Sequence, residues 1–225
     1  MILTIKNFKI MNKTILKAIS LITMLLLIPI TISCNNDDDN SNSVSGCDTG
    51  NSNFKLLYNT ALAVNTSYQD VIDANLLTHE YIFRVNSEKT ICKIGYQGNA
   101  VLEANNLPYT IEVYNNTDAV MVYSGTHVFK SSATDYKQAS GNLLPGKSYT
   151  IRRVLPASGY LGDLNNARGR ICKFNLSSFS WSIPNFPFIN GNIIISSDSS
   201  SNFYGGGTTP PLYYGLPYID IVFEQ

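Results

Sequence analysis

The chain has 225 residues, with 16 basic and 16 acidic side chains and four cysteines. Four of the lysines fall within the first 17 residues; without them twelve basic face sixteen acidic groups, a net charge of −4. That balance excludes the basic footprint a nucleic-acid partner requires, and no nucleic-acid binding is expected.

The first 33 residues read as a targeting segment. Lys6, Lys9, Lys13 and Lys17 are followed by an apolar stretch from Ala18 to Ser33 that includes Met24, Leu25, Leu26, Leu27 and Ile28. A basic region before an apolar run of this length is the pattern of a secretory signal. It is shorter than the roughly 20 apolar residues a spanning helix needs, and Pro29 interrupts it. Met11 opens a more compact version of the same pattern, so translation is expected to start there. The run closes on Thr31-Ile32-Ser33-Cys34, which resembles the lipobox of bacterial lipoproteins. The resemblance implies lipidation of Cys34, cleavage after Ser33 and an acylated cysteine as the new N-terminus. Two or more acyl chains on one residue suffice for stable membrane attachment.

Residues 35–53 are nearly all Asn, Asp, Ser and Gly, which cannot bury apolar surface. The stretch 34–53 is therefore expected to be a lipidated, flexible tether. Its Asp37-Asp38-Asp39 run resembles the acidic export signal after the lipidated cysteine of surface-exposed lipoproteins in some Gram-negative bacteria. That likeness implies an outer-membrane lipoprotein facing outward.

Residues 54–225 are long enough for one domain with a real core. Tyr81, Phe83 and Val85 alternate with Ile82 and Arg84, and Tyr109, Ile111 and Val113 alternate with Thr110 and Glu112. Cys92, Ile94 and Tyr96 repeat the pattern, and further strands are predicted over 119–123, 126–130, 147–154, 170–174, 191–196 and 218–224. In the last, Ile219, Ile221 and Phe223 are expected to face inward and Asp220 and Glu224 to face water. Period-two alternation without a helical period predicts an all-β fold, a single antiparallel β-sandwich of jelly-roll or immunoglobulin/fibronectin-like type. Leu144-Pro145-Gly146 before Tyr149 suits a type II turn and a tyrosine corner, with the phenol returning to the turn backbone. Past Cys34, three thiols allow one intramolecular disulfide. Cys92 and Cys172, each in an Ile-Cys-Lys context, are the preferred pair; free cysteines packed as small hydrophobes are the alternative.

No Gly-x-Ser-x-Gly elbow, His-Glu-x-x-His, Cys-x-x-Cys or phosphate-cradling loop is present, and His79 and His127 each stand alone. No catalytic residue, metal or cofactor is therefore assigned. Glu80, Glu103, Glu112 and Asp220 supply carboxylates of the kind a glycoside hydrolase pairs, but their spacing singles out none of them. Gly162-Asp163-Leu164-Asn165-Asn166 lacks the fixed spacing of a calcium loop and reads as a turn. Two long segments, 155–190 and 199–217, gather aromatics beside polar groups: Asp163, Arg168 and Trp181 in the first, Tyr204, Tyr213 and Tyr214 in the second. Sugar C–H groups lie on aromatic faces while planar polar side chains take the hydroxyls, so these six are the candidate ligand-binding residues. Covering the open end of the sandwich is their structural alternative.

Lys89-Thr90-Ile91-Cys92-Lys93-Ile94-Gly95-Tyr96, the Leu-x-x-Gly-x-x-Tyr turn at 143–149 and the closing Tyr218-Ile219-Asp220-Ile221-Val222-Phe223 resemble a family of extracellular bacterial jelly-roll modules without an assigned function. The resemblance implies a fold and no catalytic residue. The expected protein is a surface-tethered binding module for glycan or another extracellular polymer. The alternative is a structural or assembly lipoprotein contacting another envelope protein, with a hydrolase a distant third.

Overall fold

Phe54, Leu57, Tyr58 and Ala61 recur at the spacing of one helical face, and Asn53–Val64 forms helix α1 with all four buried. Ser52 caps it, its Oγ accepting from Lys55 N at 3.0 Å and its carbonyl from Leu56 N. The computed structural model describes residues 46–64, 68–155, 160–174, 188–195 and 214–225, all within the unit Ser43–Gln225. After α1 come strands β1 (Tyr68–Asp73), β2 (Thr78–Val85) and β3 (Lys89–Tyr96), then a short helix α2 (Ala100–Ala104) capped by Asn99. Strands β4 (Tyr109–Asn115), β5 (Val120–His127), β6 (Asp135–Leu143) and β7 (Tyr149–Val154) follow. A 3-10 turn (Leu164–Ala167) precedes β8 (Gly169–Phe174), β9 (Phe188–Asn190), β10 (Ile193–Ile195), β11 (Tyr214–Pro217) and β12 (Asp220–Phe223).

The strands form three antiparallel sheets, ordered β1-β8-β11, β5-β4-β7-β2-β10-β9 and β12-β3-β6. The fold is an all-β sandwich, as the alternation predicts, and no sheet closes into a barrel. Tyr81, Phe83 and Val85 face the core from β2, as do Tyr109, Ile111 and Val113 from β4 and Tyr149 and Ile151 from β7. Rings dominate the interior: Phe54 stacks on Tyr81 at 5.0 Å between centroids, and Tyr58 meets Tyr218 edge-on at 4.8 Å. The tyrosine corner forms as read: Tyr149 OH accepts from Leu144 N at 2.7 Å and donates to Leu144 O at 3.2 Å. Gly146 takes φ +76°, the left-handed position a type II turn gives to glycine.

Several expectations are corrected. Residues 46–53 are not tether but part of the domain, because Gly46 O accepts from Gln225 N, Cys47 is bonded to Cys92 and Ser52 is buried. Residues 54–64, expected as part of the β domain, are helical. The disulfide joins Cys47 to Cys92 across a Cα–Cα distance of 6.2 Å, and not Cys92 to Cys172. Cys92 sits where β3 slips register against both β6 and β12, and it bonds to the N-terminal segment from there. Cys172 belongs to a different sheet, packs in the core and is free, its thiol pushed up to about 12 by burial and then by Asp70. Strand β5 is one continuous element over Val120–His127 where two were expected, and residues 191–192 are the turn between β9 and β10. Asp220 does not face water; it is 0% exposed.

Candidate functional site

Of the six candidate ligand-binding residues, Trp181, Tyr204 and Tyr213 lie outside the described residues, as does the lipidation candidate Cys34. Tyr214 opens β11, where its backbone pairs with Phe174. Asp163 caps the 3-10 turn: its Oδ1 accepts from Asn165 N at 2.9 Å and from Asn165 Nδ2 at 2.8 Å. Its carboxylate therefore has a local task, as a capping aspartate does. Arg168 closes the same turn and is exposed.

The flanks of the two aromatic segments are described, and they coincide. Segment 175–187 leaves β8 at Phe174 and enters β9 at Phe188. Segment 196–213 leaves β10 at Ile195 and enters β11 at Tyr214. Phe174 is the register partner of Tyr214, and Phe188 is the register partner of Ile195. Both segments therefore start and finish at two strand pairs, which brings their ends together two by two.

Two buried polar centres were not expected. The first surrounds Asp220, whose Oδ1 accepts from Ser52 Oγ at 2.6 Å and whose Oδ2 accepts from Tyr136 OH at 2.8 Å. Tyr136 OH also lies 3.2 Å from Thr49 O. Burial raises the Asp220 carboxyl to about 6, although both hydrogen bonds, Lys55 and Arg170 act to lower it. Arg170 lies over the Tyr218 ring, 4.2 Å from its centroid, and binds Asp70 through Nε at 2.9 Å and Nη2 at 2.7 Å. Tyr58 OH donates to the same Asp70 at 3.0 Å, and burial holds that phenol well above its usual range.

The second centre is Arg153, 0% exposed on β7. Its Nη2 donates to Ala167 O at 2.8 Å and its Nη1 to Leu76 O at 3.2 Å, while the guanidinium lies against the Tyr96 and Tyr109 rings. His79 bonds Ala74 O through Nε2 at 2.7 Å; its pKa is held well below the ordinary histidine range, first by burial and then by Arg153. Among the described residues, Arg153 Nε, His79 Nδ1 and Tyr96 OH have no hydrogen-bond partner. Gly169 lets β8 close over them, since a Cβ there would lie 2.4 Å from Tyr96 OH and 2.8 Å from His79 Nδ1.

These centres missed the sequence reading for separate reasons, and each left a trace. An acid inside the apolar run Ile219-Asp220-Ile221-Val222-Phe223 marks a strand buried on both faces rather than an alternating one. Arg153 shares strand parity with the inward Tyr149 and Ile151. Asp220 and Arg153 are each fully buried, so neither presents its charge to a substrate. A surface cleft of about 140 Å³ lies where Asp48, Asn51, Lys89, Asn192 and Glu224 meet, well below the roughly 300 Å³ of a small-molecule pocket. No group of three or more His, Cys, Asp or Glu among the described residues is arranged to hold a metal ion. No helix among them is long and apolar enough to cross a membrane. No protein-family model matches the chain, and no curated protein matches it significantly.

Proposed function

We propose that this protein is a lipid-anchored recognition module at the cell envelope, which holds glycan or a similar extracellular polymer with the aromatic segments 175–187 and 196–213. The observation that carries the reading is the convergence of their flanks: Phe174 on Tyr214, and Phe188 on Ile195. Long connections from a rigid scaffold are where binding residues concentrate. Here the segments whose sequences carry Trp181, Phe203, Tyr204 and Tyr213 are flanked by residues that pair with one another. The polar partners for hydroxyl groups come from the same segments, in Asn185, Asn202 and the serines around them.

The anchor reading rests on the basic-then-apolar leader ending in Ser33-Cys34 and on a disulfide suited to an oxidising compartment. With Gly46 already part of the domain, eleven residues separate it from Cys34, a reach of at most about 40 Å. Such a module sits near the surface that carries it, facing outward in this proposal. Glycan-array and soluble-polysaccharide binding by the mature chain tests it. Binding is expected for the wild type and lost in Trp181→Ala and Tyr213→Ala with unchanged circular dichroism. Equal binding by both variants refutes the assignment of these segments.

A further inference from the structure

The segment entering the domain, Gly46–Ser52, is fastened at four points. Gly46 O accepts from Gln225 N, Cys47 is bonded to Cys92, Thr49 O lies 3.2 Å from Tyr136 OH, and Ser52 Oγ donates to Asp220. The last two meet at Tyr136, whose phenol reaches both Thr49 O and Asp220 Oδ2, and counting its protons shows a conflict. Tyr136 has a single O–H. With Asp220 ionised, that hydrogen is drawn to the carboxylate oxygen at 2.8 Å, and Thr49 O loses its claim on it. With one more proton, Asp220 Oδ2 donates to the Tyr136 oxygen and Tyr136 donates onward to Thr49 O. Ser52 Oγ donates to Asp220 Oδ1 in both states, so that bond survives protonation.

We infer that Asp220, Tyr136 and Thr49 form a proton-operated latch, which grips the segment leading into the domain more tightly when Asp220 is neutral. The step is a proton gained by Asp220 Oδ2 from solvent and a reversal of the Asp220–Tyr136 hydrogen bond; no covalent bond to carbon or sulfur changes. This device is independent of what the protein binds and of how it is anchored.

The surroundings of Asp220 fit such a role. From α1 comes Lys55, from β8 Arg170, from β6 Tyr136, from β2 Tyr81, and from the approach to β12 Tyr218. The two cations favour the ionised form, yet neither reaches the carboxylate as a salt-bridge partner among the described residues, and burial outweighs them. Arg170 is instead committed to Asp70, and Tyr81 OH to Ile219 O at 2.7 Å. The carboxyl thus changes charge near pH 6, with no cation in direct contact with it among the described residues.

Hydrogen–deuterium exchange of the full mature chain, corrected for intrinsic rates, reads the latch directly. Protection of peptides covering 46–56 should rise roughly tenfold between pH 7.5 and pH 5, the gain expected when opening returns Asp220 to an ordinary carboxyl. Asp220→Asn, whose amide donates to Tyr136 as the neutral acid does, should show the higher protection at both pH values. Tyr136→Phe removes the tie to Thr49 O, so protection of 46–56 at pH 5 should fall below that of the wild type, and unchanged protection there overturns the latch. Protection in the wild type that is flat from pH 7.5 to pH 5, with the rest of the domain protected, overturns the latch, as does a tenfold rise that survives in Asp220→Asn.

Discussion

At the scale of single residues, the informative side chains are the ones that break the alternation pattern. Asp220 is held uncharged more readily in the fold than in the unfolded chain, and its elevation by about two pKa steps corresponds to roughly 3 kcal/mol of cost at neutral pH. Because its folded pKa is the higher one, it binds more protons folded than unfolded between about pH 4 and 6, so stability from this group falls as pH rises through that window. His79 works in the opposite direction. Its folded pKa is depressed, so the unfolded chain takes up the proton first and stability falls as pH drops below about 6.5. The two slopes offset each other in the wild type. Asp220→Asn is therefore expected to be more stable by about 1–3 kcal/mol at pH 7.5 and to lose stability steadily on acidification, which urea titrations at a series of pH values would measure. Arg153 makes a separate prediction. Replacing it with Met removes the guanidinium donor from the carbonyls of Leu76 and Ala167 inside the fold, an expected loss of about 3 kcal/mol or more in the same assay.

At the scale of elements, what the sequence displayed depended on whether one face of a segment meets water. The strands β2, β4 and β7 are half-buried, and Tyr81/Phe83/Val85, Tyr109/Ile111/Val113 and Tyr149/Ile151 declared them by parity. Strand β12 is buried on both faces, so parity carries no signal there, and Asp220 was assigned to water on a rule that does not apply. Helix α1 was legible and passed over: Phe54, Leu57, Tyr58 and Ala61 have helical spacing, but they adjoin a polar run that reads as linker. Strand β6, with Lys137, Gln138, Ser140, Gly141 and Asn142, has little apolar pattern and is recruited by pairing along β3. The disulfide partner was beyond sequence reasoning because it depends on the register slip at Cys92. Two tests belong here. Tyr149→Phe removes both ties of the corner to Leu144 and should cost about 1–2 kcal/mol by denaturant titration. Cys47→Ser opens a closed loop spanning 45 residues and should cost up to about 4 kcal/mol, whereas Cys172→Ser leaves the loop closed.

At the scale of the whole molecule, the order of parts suits a protein displayed on a surface. A basic-then-apolar stretch ending in Ser33-Cys34, a short polar stretch and a domain whose entry is pinned at Cys47 and Ser52 follow one another along the chain. The candidate binding residues could be named from composition, but their grouping could not. Only the pairing of Phe174 with Tyr214 and of Phe188 with Ile195 relates the segment of Trp181 to that of Tyr204 and Tyr213. Recognition by two aromatic segments and attachment by one cysteine are separable claims, and the second decides where the first operates.

Intact-mass and N-terminal peptide mass spectrometry of the protein isolated from envelope membranes tests that claim most directly. The expected result is a chain beginning at Cys34 with acyl groups on that residue, absent from the membrane fraction in Cys34→Ser. An unmodified Cys34, or a Cys34→Ser protein still retained in the membrane fraction, contradicts the account.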